Sequence, residues 1–338
     1  MAARISPHEA MDRAVSLAAR GPAHGPNPRV GAVLTDADGV VLGEGFHEGA
    51  GTAHAEVAAI ADARARGAHL AGATAYVTLE PCNHSGRTGP CTEALLEAGV
   101  ATVRYAVPDP NPQATGGAAA LSARGVHAEH APHHGAEELN ARWLTAMRQG
   151  RPYVIAKWAQ TLDGYIAATD GSSFWITGEV ARNHAHGVRA QVDALLVGTG
   201  TVAADDPELS ARPEGVLAPH QPLRVVMGLR ETAGARVWRD SNAVHVATHD
   251  PVDVLETLWA RDVRTVVVEG GGEVLTAFVN NGLVNEINVY IAPALLGDGI
   301  RAIRDLGITS MAGVLRARRV ASTALGPDTL VAALLGKE

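Results

Sequence analysis

Four residues in the N-terminal half have the types and spacing of a metal-dependent hydrolytic site. His54 and Glu56 stand two residues apart at the start of a predicted helix. Cys82 follows a predicted strand, and Cys91 opens the next helix. One imidazole and two thiolates suit Zn²⁺, and three protein ligands leave a fourth position open, as in catalytic zinc sites. Glu56 is placed to carry protons for a water molecule at that position without binding the metal.

Each of these residues, taken alone, has a plainer explanation. A single histidine is usually exposed or hydrogen-bonded in a core, and two cysteines nine residues apart are usually inert or, rarely, a disulfide. Here the group uses both cysteines of the chain, each at the end of an element, where a ligand can face a cleft. The combination therefore predicts one zinc ion per chain. It also fits the His-x-Glu and Pro-Cys-x-x-Cys signature of zinc deaminases, except that eight residues separate these cysteines.

The composition limits the remaining function classes. The chain has 338 residues, 46% of them hydrophobic, and a net charge of -8. This length predicts two domains, and the mild acidity argues against nucleic acid or a membrane surface as a partner. No apolar run approaches the roughly 20 residues of a membrane span, and the first residues lack the layout of a secretory signal. We therefore expect a cytoplasmic protein.

Alternating helices and strands predict a largely parallel sheet, covered on both faces, in each half. The pattern breaks at Gly150-Arg-Pro152, which predicts domains at residues 1–149 and 152–338. The first half has predicted helices at 6–20, 53–66 and 91–98 and strands at 29–35, 40–42, 74–79 and 100–107. The second half has predicted strands near 153–159, 193–198, 223–227, 243–247, 264–268, 285–292 and 328–334, and helices near 178–190, 252–260 and 273–281.

Two glycine-rich segments of the second half are candidates for phosphate binding. Glu269-Gly-Gly-Gly272 joins a predicted strand to an apolar helix, which fits either backbone amides at a phosphate or a plain helix-entry turn. Gly198-Thr-Gly-Thr-Val-Ala203 matches a dinucleotide fingerprint in form. Pro207 cuts short any helix there, and no acidic residue follows a second strand, so a Rossmann domain is disfavoured.

With these motifs the sequence resembles, over nearly its whole length, the bifunctional deaminase/reductase family of riboflavin biosynthesis. The long cysteine spacing with Gly-Arg-Thr inside it is typical of that family and differs from cytidine and tRNA-adenosine deaminases. The resemblance implies a cytidine-deaminase-like αβα domain followed by a dihydrofolate-reductase-like α/β domain. The motifs that carry it are Asn27-Pro-Arg-Val-Gly31, His54-Ala-Glu56, Thr78-Leu-Glu-Pro-Cys82 with the loop to Cys91, Asp109-Pro-Asn-Pro112, Lys157-Trp-Ala-Gln-Thr-Leu-Asp-Gly164, Trp175-Ile-Thr177, Gly198 to Pro207 and Glu269-Gly-Gly-Gly272.

For the first domain, the resemblance implies deamination of 2,5-diamino-6-(5-phosphoribosylamino)pyrimidin-4-one. His54, Cys82 and Cys91 would hold zinc, with Glu56 as the catalytic proton shuttle. Asn27 resembles a contact to the substrate ring, and Arg87 a contact to its phosphate.

For the second domain, the resemblance implies hydride transfer from NADPH to the ribose of 5-amino-6-(5-phosphoribosylamino)uracil, opening it to a ribityl chain. Arginine suits the 5′-phosphate because its guanidinium fork matches phosphate oxygens. The residues that resemble NADPH contacts are Ala159, Trp175, Thr201, Asp205, Gly270, Gly271, Gly272, Glu273, Val274, Leu275 and Thr276. Those that resemble substrate contacts are Ser173, Arg189, Leu209, Arg212 and Glu269.

The chain departs from the family pattern at three places. Gly116-Gly117-Ala118 replaces a Gly-basic-Gly run, so a substrate contact by that basic residue is not carried over. Gly89 replaces a common proline, which loosens the loop at little cost to chemistry. Gly228-Leu229 replaces a polar pair, so a cofactor contact there is lost or made by backbone.

Two other hypotheses remain open on the sequence alone. A zinc deaminase acting on a nucleic-acid base, with the second half as a binding module, is disfavoured by the acidic charge. A zinc-stabilised scaffold without activity is disfavoured by Glu56, because a structural site needs no proton shuttle. The favoured enzyme would act on small phosphoribosylaminopyrimidines, bind neither nucleic acid nor membrane, and form a homo-oligomer, either a dimer or a tetramer.

Overall fold

The computed structural model describes residues 4–83, 89–112, 114–173 and 176–336. The chain divides into two compact units, Met1–Gly150 and Arg151–Glu338. Each unit combines helices with its own β-sheet, which confirms the predicted α/β class. Within the described ranges, no helix is both long enough and apolar enough to span a membrane.

The first unit has a five-stranded sheet in the order β2-β1-β3-β4-β5. Strand β1 runs antiparallel to β2 and β3, while β3, β4 and β5 are parallel. The strands are β1 (Gly31–Thr35), β2 (Val41–Phe46), β3 (Thr74–Val77), β4 (Thr102–Tyr105) and β5 (His127–His130). The helices are α1 (Pro7–Ala18), α2 (Ala55–Ala65), α3 (Cys91–Glu97), α4 (Gly117–Ala123), α5 (His134–Leu139) and α6 (Ala141–Gln149).

Helix α1 begins with a capping box, since the Ser6 side chain accepts from the Glu9 amide and the Glu9 side chain accepts from the Ser6 amide. Helix α2 lies directly on strand β2 because two glycines of that strand carry no side chain. A Cβ atom on Gly43 would stand 2.4 Å from the carbonyl oxygen of Ala59, and one on Gly45 would stand 2.4 Å from its amide nitrogen. This close contact sets the height of α2, and of the residues at its start, above the sheet.

The part of the first unit after residue 107 contains four elements that the sequence analysis did not predict. Strand β5 has the sequence His-Ala-Glu-His and lies at the edge of the sheet, with its first and last residues exposed. Its sequence therefore lacks the alternation of apolar and polar residues that predicts a strand. Helices α4 and α5 span seven and six residues, too few for a clear 3.6-residue period.

The second unit has an eight-stranded sheet in the order β10-β9-β8-β11-β6-β12-β15-β14 and a small β13-β7 pair. The six strands from β10 to β12 are parallel, and β15 is antiparallel to both neighbours. The strands are β6 (Tyr153–Thr161), β7 (Tyr165–Ala167), β8 (Ala194–Gly198), β9 (Leu223–Met227), β10 (Ala243–Val246), β11 (Thr265–Val268), β12 (Glu286–Ala292), β13 (Ile300–Arg301), β14 (Arg318–Leu325) and β15 (Asp328–Leu334). The helices are α7 (Glu179–Arg189), α8 (Thr199–Asp205), α9 (Pro251–Trp259) and α10 (Gly272–Asn280).

The parallel strands of this unit place the candidate residues at one edge of the sheet. Every residue of the central strand β11 is buried, as expected of a strand covered on both faces. Strands β8 and β11 are paired, so Thr199 and Glu269, which follow them, emerge at the same carboxyl edge. Helix α8 is short and ends before Pro207, in agreement with the sequence analysis. The edge strand β14 was not predicted, because nearly all of its residues are exposed.

Candidate zinc centre and reductase site

The three predicted zinc ligands meet in the first unit. His54 immediately precedes α2, Cys91 is the first residue of α3, and Cys82 follows strand β3. The His54 Nδ1 atom lies 3.2 Å from Cys91 Sγ and 3.5 Å from Cys82 Sγ. Tetrahedral zinc with Zn–N and Zn–S bonds of about 2.0 and 2.3 Å sets an N to S separation of about 3.5 Å. The donor set and its spacing therefore fit a zinc ion.

Both cysteines are buried and free of any disulfide. The amide of Cys91 donates to Cys82 Sγ at 3.5 Å. A hydrogen bond from the Cys91 thiol lowers the pKa of Cys82 to about 4. Cys82 is thus held in its thiolate form, which is the form that binds metal.

Glu56 lies in the first turn of α2 and is 3% exposed. Burial raises the pKa of its carboxyl group. A hydrogen bond to Cys82, burial and the negative charge of Glu56 all raise the pKa of the Cys91 thiol, so the Glu56 carboxyl group lies close to the ligand cluster. The structure brings Glu56 to the three ligands, as the His-x-Glu spacing predicts.

Asn27 is linked to the zinc-ligand cluster by His47, a residue that the sequence analysis missed. The Asn27 Nδ2 atom lies 2.9 Å from His47 Nε2, and His47 Nδ1 lies 3.0 Å from the carbonyl oxygen of Ala53. The His47 and His54 rings meet edge to face, with centroids 5.4 Å apart. With its Nδ1 proton on the Ala53 carbonyl, His47 accepts from the Asn27 amide and orients that side chain. Its one local signal is its place directly after β2, seven residues before His54.

The segment that carries Asn27 has no regular structure and is held by residues far away in sequence. Asn140 accepts from the Arg29 amide at 2.9 Å and donates to its carbonyl at 2.8 Å. The Trp143 indole donates to the carbonyl of Pro26 at 2.8 Å. These contacts fix the backbone on both sides of Asn27.

Close packing around Gly117 explains why this chain departs from the family pattern at that position. Gly117 opens α4, and a Cβ atom there would stand 1.8 Å from the carbonyl oxygen of Pro81, next to Cys82. The neighbouring Glu80 accepts from the amides of Asp109 and Ala118 at 3.3 and 3.0 Å, which ties these loops together. Position 117 therefore has no room for a basic side chain. Arg87, the candidate phosphate contact, lies outside the described residues.

In the second unit, two predicted substrate contacts form a largely buried ion cluster with a third residue. Arg189 donates a bidentate pair of hydrogen bonds to Glu269, from Nε to Oε1 at 2.8 Å and from Nη2 to Oε2 at 2.6 Å. Lys157 Nζ lies 3.6 Å from Glu269 Oε2. Burial opposes ionisation of Glu269, but the charges of Arg189 and Lys157 outweigh it and lower the pKa of this carboxyl group. Lys157 was not predicted as a site residue, although it opens one of the quoted motifs.

The segment from Leu209 to Arg212 lies against this cluster. Leu209 is buried with a φ of +50°, and the carbonyl oxygen of Ser210 accepts from Arg189 Nη1 at 3.1 Å. The Arg212 amide donates to His186 Nδ1 at 3.2 Å, whereas its guanidinium faces outward and binds Glu208 at 3.0 Å. The structure thus brings the Arg212 backbone, rather than its side chain, to the cluster. Ser173 is exposed and lies next to the undescribed residues 174 and 175.

The candidate cofactor residues partly converge. The Gly271 amide donates to Thr201 Oγ1 at 3.2 Å, which joins the glycine-rich turn before α10 to helix α8. A Cβ atom on Gly270 would stand 2.6 Å from Val274 Cβ, so the turn packs against its own helix. Asp205 ends α8, one turn after Thr201, and Ala159 lies opposite Tyr290 on β12. Trp175 lies outside the described residues.

Gly228, another of the three departures from the family pattern, also occupies a crowded position. Its φ is +131°, and a Cβ atom would stand 2.5 Å from Thr199 Oγ1. Its carbonyl accepts from His245 Nε2 at 2.7 Å. A side chain at position 228 does not fit here, while Leu229 is exposed.

Two family models match the chain in agreement with these two sites. The model of the RibD C-terminal domain matches residues 152–331, and the model of the cytidine and deoxycytidylate deaminase zinc-binding region matches residues 5–107. The riboflavin biosynthesis protein RibD of Mycobacterium tuberculosis is 46% identical over 313 residues, which cover 90% of each chain. RibD of Escherichia coli is 38% identical over 358 residues, covering 94% of this chain and 96% of that one.

Solved structures match over both units. Acinetobacter baumannii RibD has a TM-score of 0.88 and 36% identity, covering 98% of this chain and 99% of its own. A Thermotoga maritima protein described as a diaminohydroxyphosphoribosylaminopyrimidine deaminase/5-amino-6-(5-phosphoribosylamino)uracil reductase has a TM-score of 0.84 and 32% identity, with the same coverage. The chain therefore belongs to the RibD family of riboflavin biosynthesis proteins, as a bifunctional deaminase and reductase that uses zinc and NADPH.

Proposed function

We propose that residues 1–149 deaminate 2,5-diamino-6-(5-phosphoribosylamino)pyrimidin-4-one and that residues 152–338 reduce the ribose of 5-amino-6-(5-phosphoribosylamino)uracil to a ribityl chain. The observation that carries this proposal is the meeting of His54, Cys82 and Cys91 with a buried carboxylate, Glu56, at the start of α2. These two substrates agree with the deaminase and reductase activities by which the Thermotoga maritima relative is described.

In the deaminase unit, His54, Cys82 and Cys91 would hold the zinc ion. With three protein ligands, the ion would lower the pKa of a water molecule at the open fourth position and so supply the nucleophile. Glu56 takes a proton from the attacking water and returns protons to the ring nitrogen and the leaving ammonia, so that a C–N bond is replaced by a carbonyl. Asn27, with its amide held by His47, contacts the pyrimidine ring through its side-chain oxygen.

In the reductase unit, bound NADPH would supply the hydride that adds to C1′ of the ribose as the bond from C1′ to the ring oxygen breaks, and that oxygen takes up a proton to become a hydroxyl group. Arg189 is positioned by Glu269 and Ser210, and the fixed guanidinium orients the substrate. Lys157 and Glu269 provide a charge pair beside the reacting sugar. Arg212 reaches the 5′-phosphate by exchanging Glu208 for the phosphate oxygens, which the guanidinium fork also matches.

The NADPH phosphates bind at the glycine-rich turn before α10. The turn is held by the Gly271 to Thr201 hydrogen bond, and the helix beyond it is nine residues long. Backbone amides at such a helix start point toward anions. Thr201, Asp205 and residues 270–276 would line this part of the site, together with Ala159 and Trp175, whereas Ser173 would contact the substrate.

The enzyme acts in the cytoplasm as a homo-oligomer, a dimer or a tetramer. Zinc binding needs both cysteines as reduced thiols, which agrees with a reducing compartment. Light scattering on the purified chain measures the oligomeric state directly.

The test separates the two half-reactions in the full-length protein. Cys91→Ala should lose zinc and deamination, because two remaining ligands seldom hold a catalytic zinc ion. Reduction of the already deaminated substrate with NADPH should continue at the wild-type rate. Zinc content by mass spectrometry and the two activities, assayed separately, decide the matter.

Full zinc occupancy in Cys91→Ala would show that the ligands are wrongly assigned. A wild-type enzyme that deaminates cytidine in single-stranded DNA, and oxidises no NADPH with the deaminated pyrimidine, would instead support a nucleic-acid deaminase.

A further inference from the structure

A second group of potential metal ligands lies on the first unit and shares no residue with the zinc cluster. His8 and Asp12 stand one turn apart on α1, and His133 directly precedes α5. One donor atom from each of the three lies within 4.8 Å of the other two. Three ligand-type side chains from two parts of the chain, 121 residues apart, therefore meet at one point of the surface.

The carboxylate of Asp12 lies between the two imidazoles. Its Oδ1 atom is 2.9 Å from His133 Nε2, and its Oδ2 atom is 3.7 Å from His8 Nε2. Tetrahedral bonds of about 2.0 to 2.1 Å to nitrogen and oxygen set donor separations of about 3.4 Å. Two imidazoles and one carboxylate suit Zn²⁺, Co²⁺, Ni²⁺ or Cu²⁺ better than Mg²⁺ or Ca²⁺, which prefer oxygen ligands.

From this geometry we infer that His8, Asp12 and His133 form a second site for a divalent transition-metal ion. A metal ion there replaces the hydrogen bond between Asp12 and His133 and draws in the His8 ring. It links the first turns of α1 to the segment before α5, two elements that already pack together.

Side-chain exposure shows which ligand is fixed and which must move. His133 is only 15% exposed and is held in place, whereas His8 is 78% exposed and free to rotate toward the ion. Among the residues that the structure describes, the buried Nδ1 atom of His133 finds no hydrogen-bond partner. Metal-binding histidines usually donate this second ring N–H to a neighbour, and losing such a partner lowers metal affinity about 10- to 100-fold. The site therefore binds metal more weakly than the zinc cluster, which has two thiolates and a buried setting.

The chain provides a matched control. His134 is 80% exposed, pairs with Glu138 on the surface, and lies next to His133 without belonging to the cluster. His8→Ala and His134→Ala remove equally exposed histidines from the same unit, and neither residue belongs to the proposed catalytic machinery. Asp12→Asn is a second test variant that keeps the shape of the side chain and removes its charge.

The experiment uses untagged full-length protein, loaded with zinc and dialysed to one equivalent per chain. Titration with Co²⁺, followed by calorimetry and visible spectroscopy, should show uptake of one further equivalent without a cobalt–thiolate charge-transfer band. His8→Ala and Asp12→Asn should weaken this uptake at least about tenfold, since a lost ligand costs no less than a lost outer partner. His134→Ala should bind as the wild type does, and deamination should be unchanged in all three variants.

Three outcomes would overturn the inference. The wild-type protein takes up no second equivalent below millimolar Co²⁺, or the uptake survives both His8→Ala and Asp12→Asn, or His134→Ala weakens it as much as His8→Ala does. The last result would mean scattered binding to surface histidines. None of them affects the proposed deamination, because that depends on the first equivalent of metal.

Discussion

The two candidate sites are held together in opposite ways. In the first unit, His54, Cys82 and Cys91 place three ligand atoms close together, and a bound cation would balance their electron pairs. In the second unit, Glu269 is already neutralised by Arg189 and Lys157 through contacts of 2.6 to 3.6 Å. The first site therefore depends on its metal for cohesion, whereas the second is preorganised by its own charges. Variants of Glu56 in the first unit should therefore lose catalytic activity, whereas variants of Glu269 in the second unit should also lose stability.

The largest effect is expected for Glu56→Gln. Zinc should stay bound because its three ligands are untouched, but deamination should fall about 10²- to 10⁴-fold, the usual contribution of a general acid–base group. Reduction in the second unit should not change. Zinc content and both activities measure this, and near-normal deamination would remove Glu56 from the mechanism.

Glu269→Gln should act on stability as well as on reduction. Removing the carboxylate leaves Arg189 and Lys157 buried without their counter-ion, and breaking such a buried pair costs about 3 to 5 kcal/mol. The unfolding transition of the second unit should therefore shift to lower denaturant, while zinc binding is retained.

The control for this variant is Asp262→Asn, which removes an exposed partner of Arg264 in the same unit. The Asp262 side chain is 72% exposed, and Arg264 keeps its contacts to the carbonyl oxygens of Trp259 and Val263. Loss of such a solvent-screened partner costs about 0 to 1 kcal/mol, so the unfolding curve should nearly overlay that of the wild type. Equal shifts for both variants would mean that the Glu269 cluster is no more important than a surface pair.

Gly117→Ala should produce an intermediate effect confined to the first unit. Its Cβ atom meets the Pro81 carbonyl oxygen, so that backbone must move, and overpacking of this kind costs about 1 to 3 kcal/mol. Because Cys82 is the next residue after Pro81, zinc affinity should fall too. Gly89→Ala is the matched control, since a Cβ atom there meets none of the described residues within 4 Å. Calorimetric unfolding and zinc competition measure both effects; an unchanged Gly117→Ala protein would refute the crowding argument.

Arg212→Ala should produce the smallest change. We expect KM for the reductase substrate to rise about tenfold with kcat nearly unchanged, because a phosphate contact is made equally in the ground and transition states. Arg239→Ala is the control, since Arg239 also pairs with Glu208 but was not predicted to contact the substrate. A kcat effect for Arg212→Ala, or an equal KM rise for Arg239→Ala, would argue against a role in phosphate binding.

The sequence predicts the zinc cluster well because metal ligands are recognisable by residue type and by position at element ends. His47 was missed because its importance comes from hydrogen bonds to Asn27 and Ala53, which no spacing rule encodes. Lys157 was missed for a related reason. It lies on β6, and only the parallel pairing of β6 with β11 places it beside Glu269.

The architecture shows the same division between local and long-range information. Apolar, buried strands such as β8 and β11 were predicted close to their observed bounds. The region that holds Asn27 in place was not, because Asn140 and Trp143 act on residues more than 100 positions away. Local pattern thus predicts elements and ligand types, and tertiary contacts decide how a loop is presented.

The two glycines of β2 have a consequence for how this family is identified. His54 and Glu56 stand at the start of a helix whose distance from the sheet is set by Gly43 and Gly45, which touch no ligand. A relative with a side chain at Gly45 would push α2 outward and carry both residues away from Cys82 and Cys91. Such a chain would keep every signature residue and lose its metal. Motif searches would count it among the deaminases. Inspection of positions 43 and 45, which belong to no signature motif, would reveal the mistake.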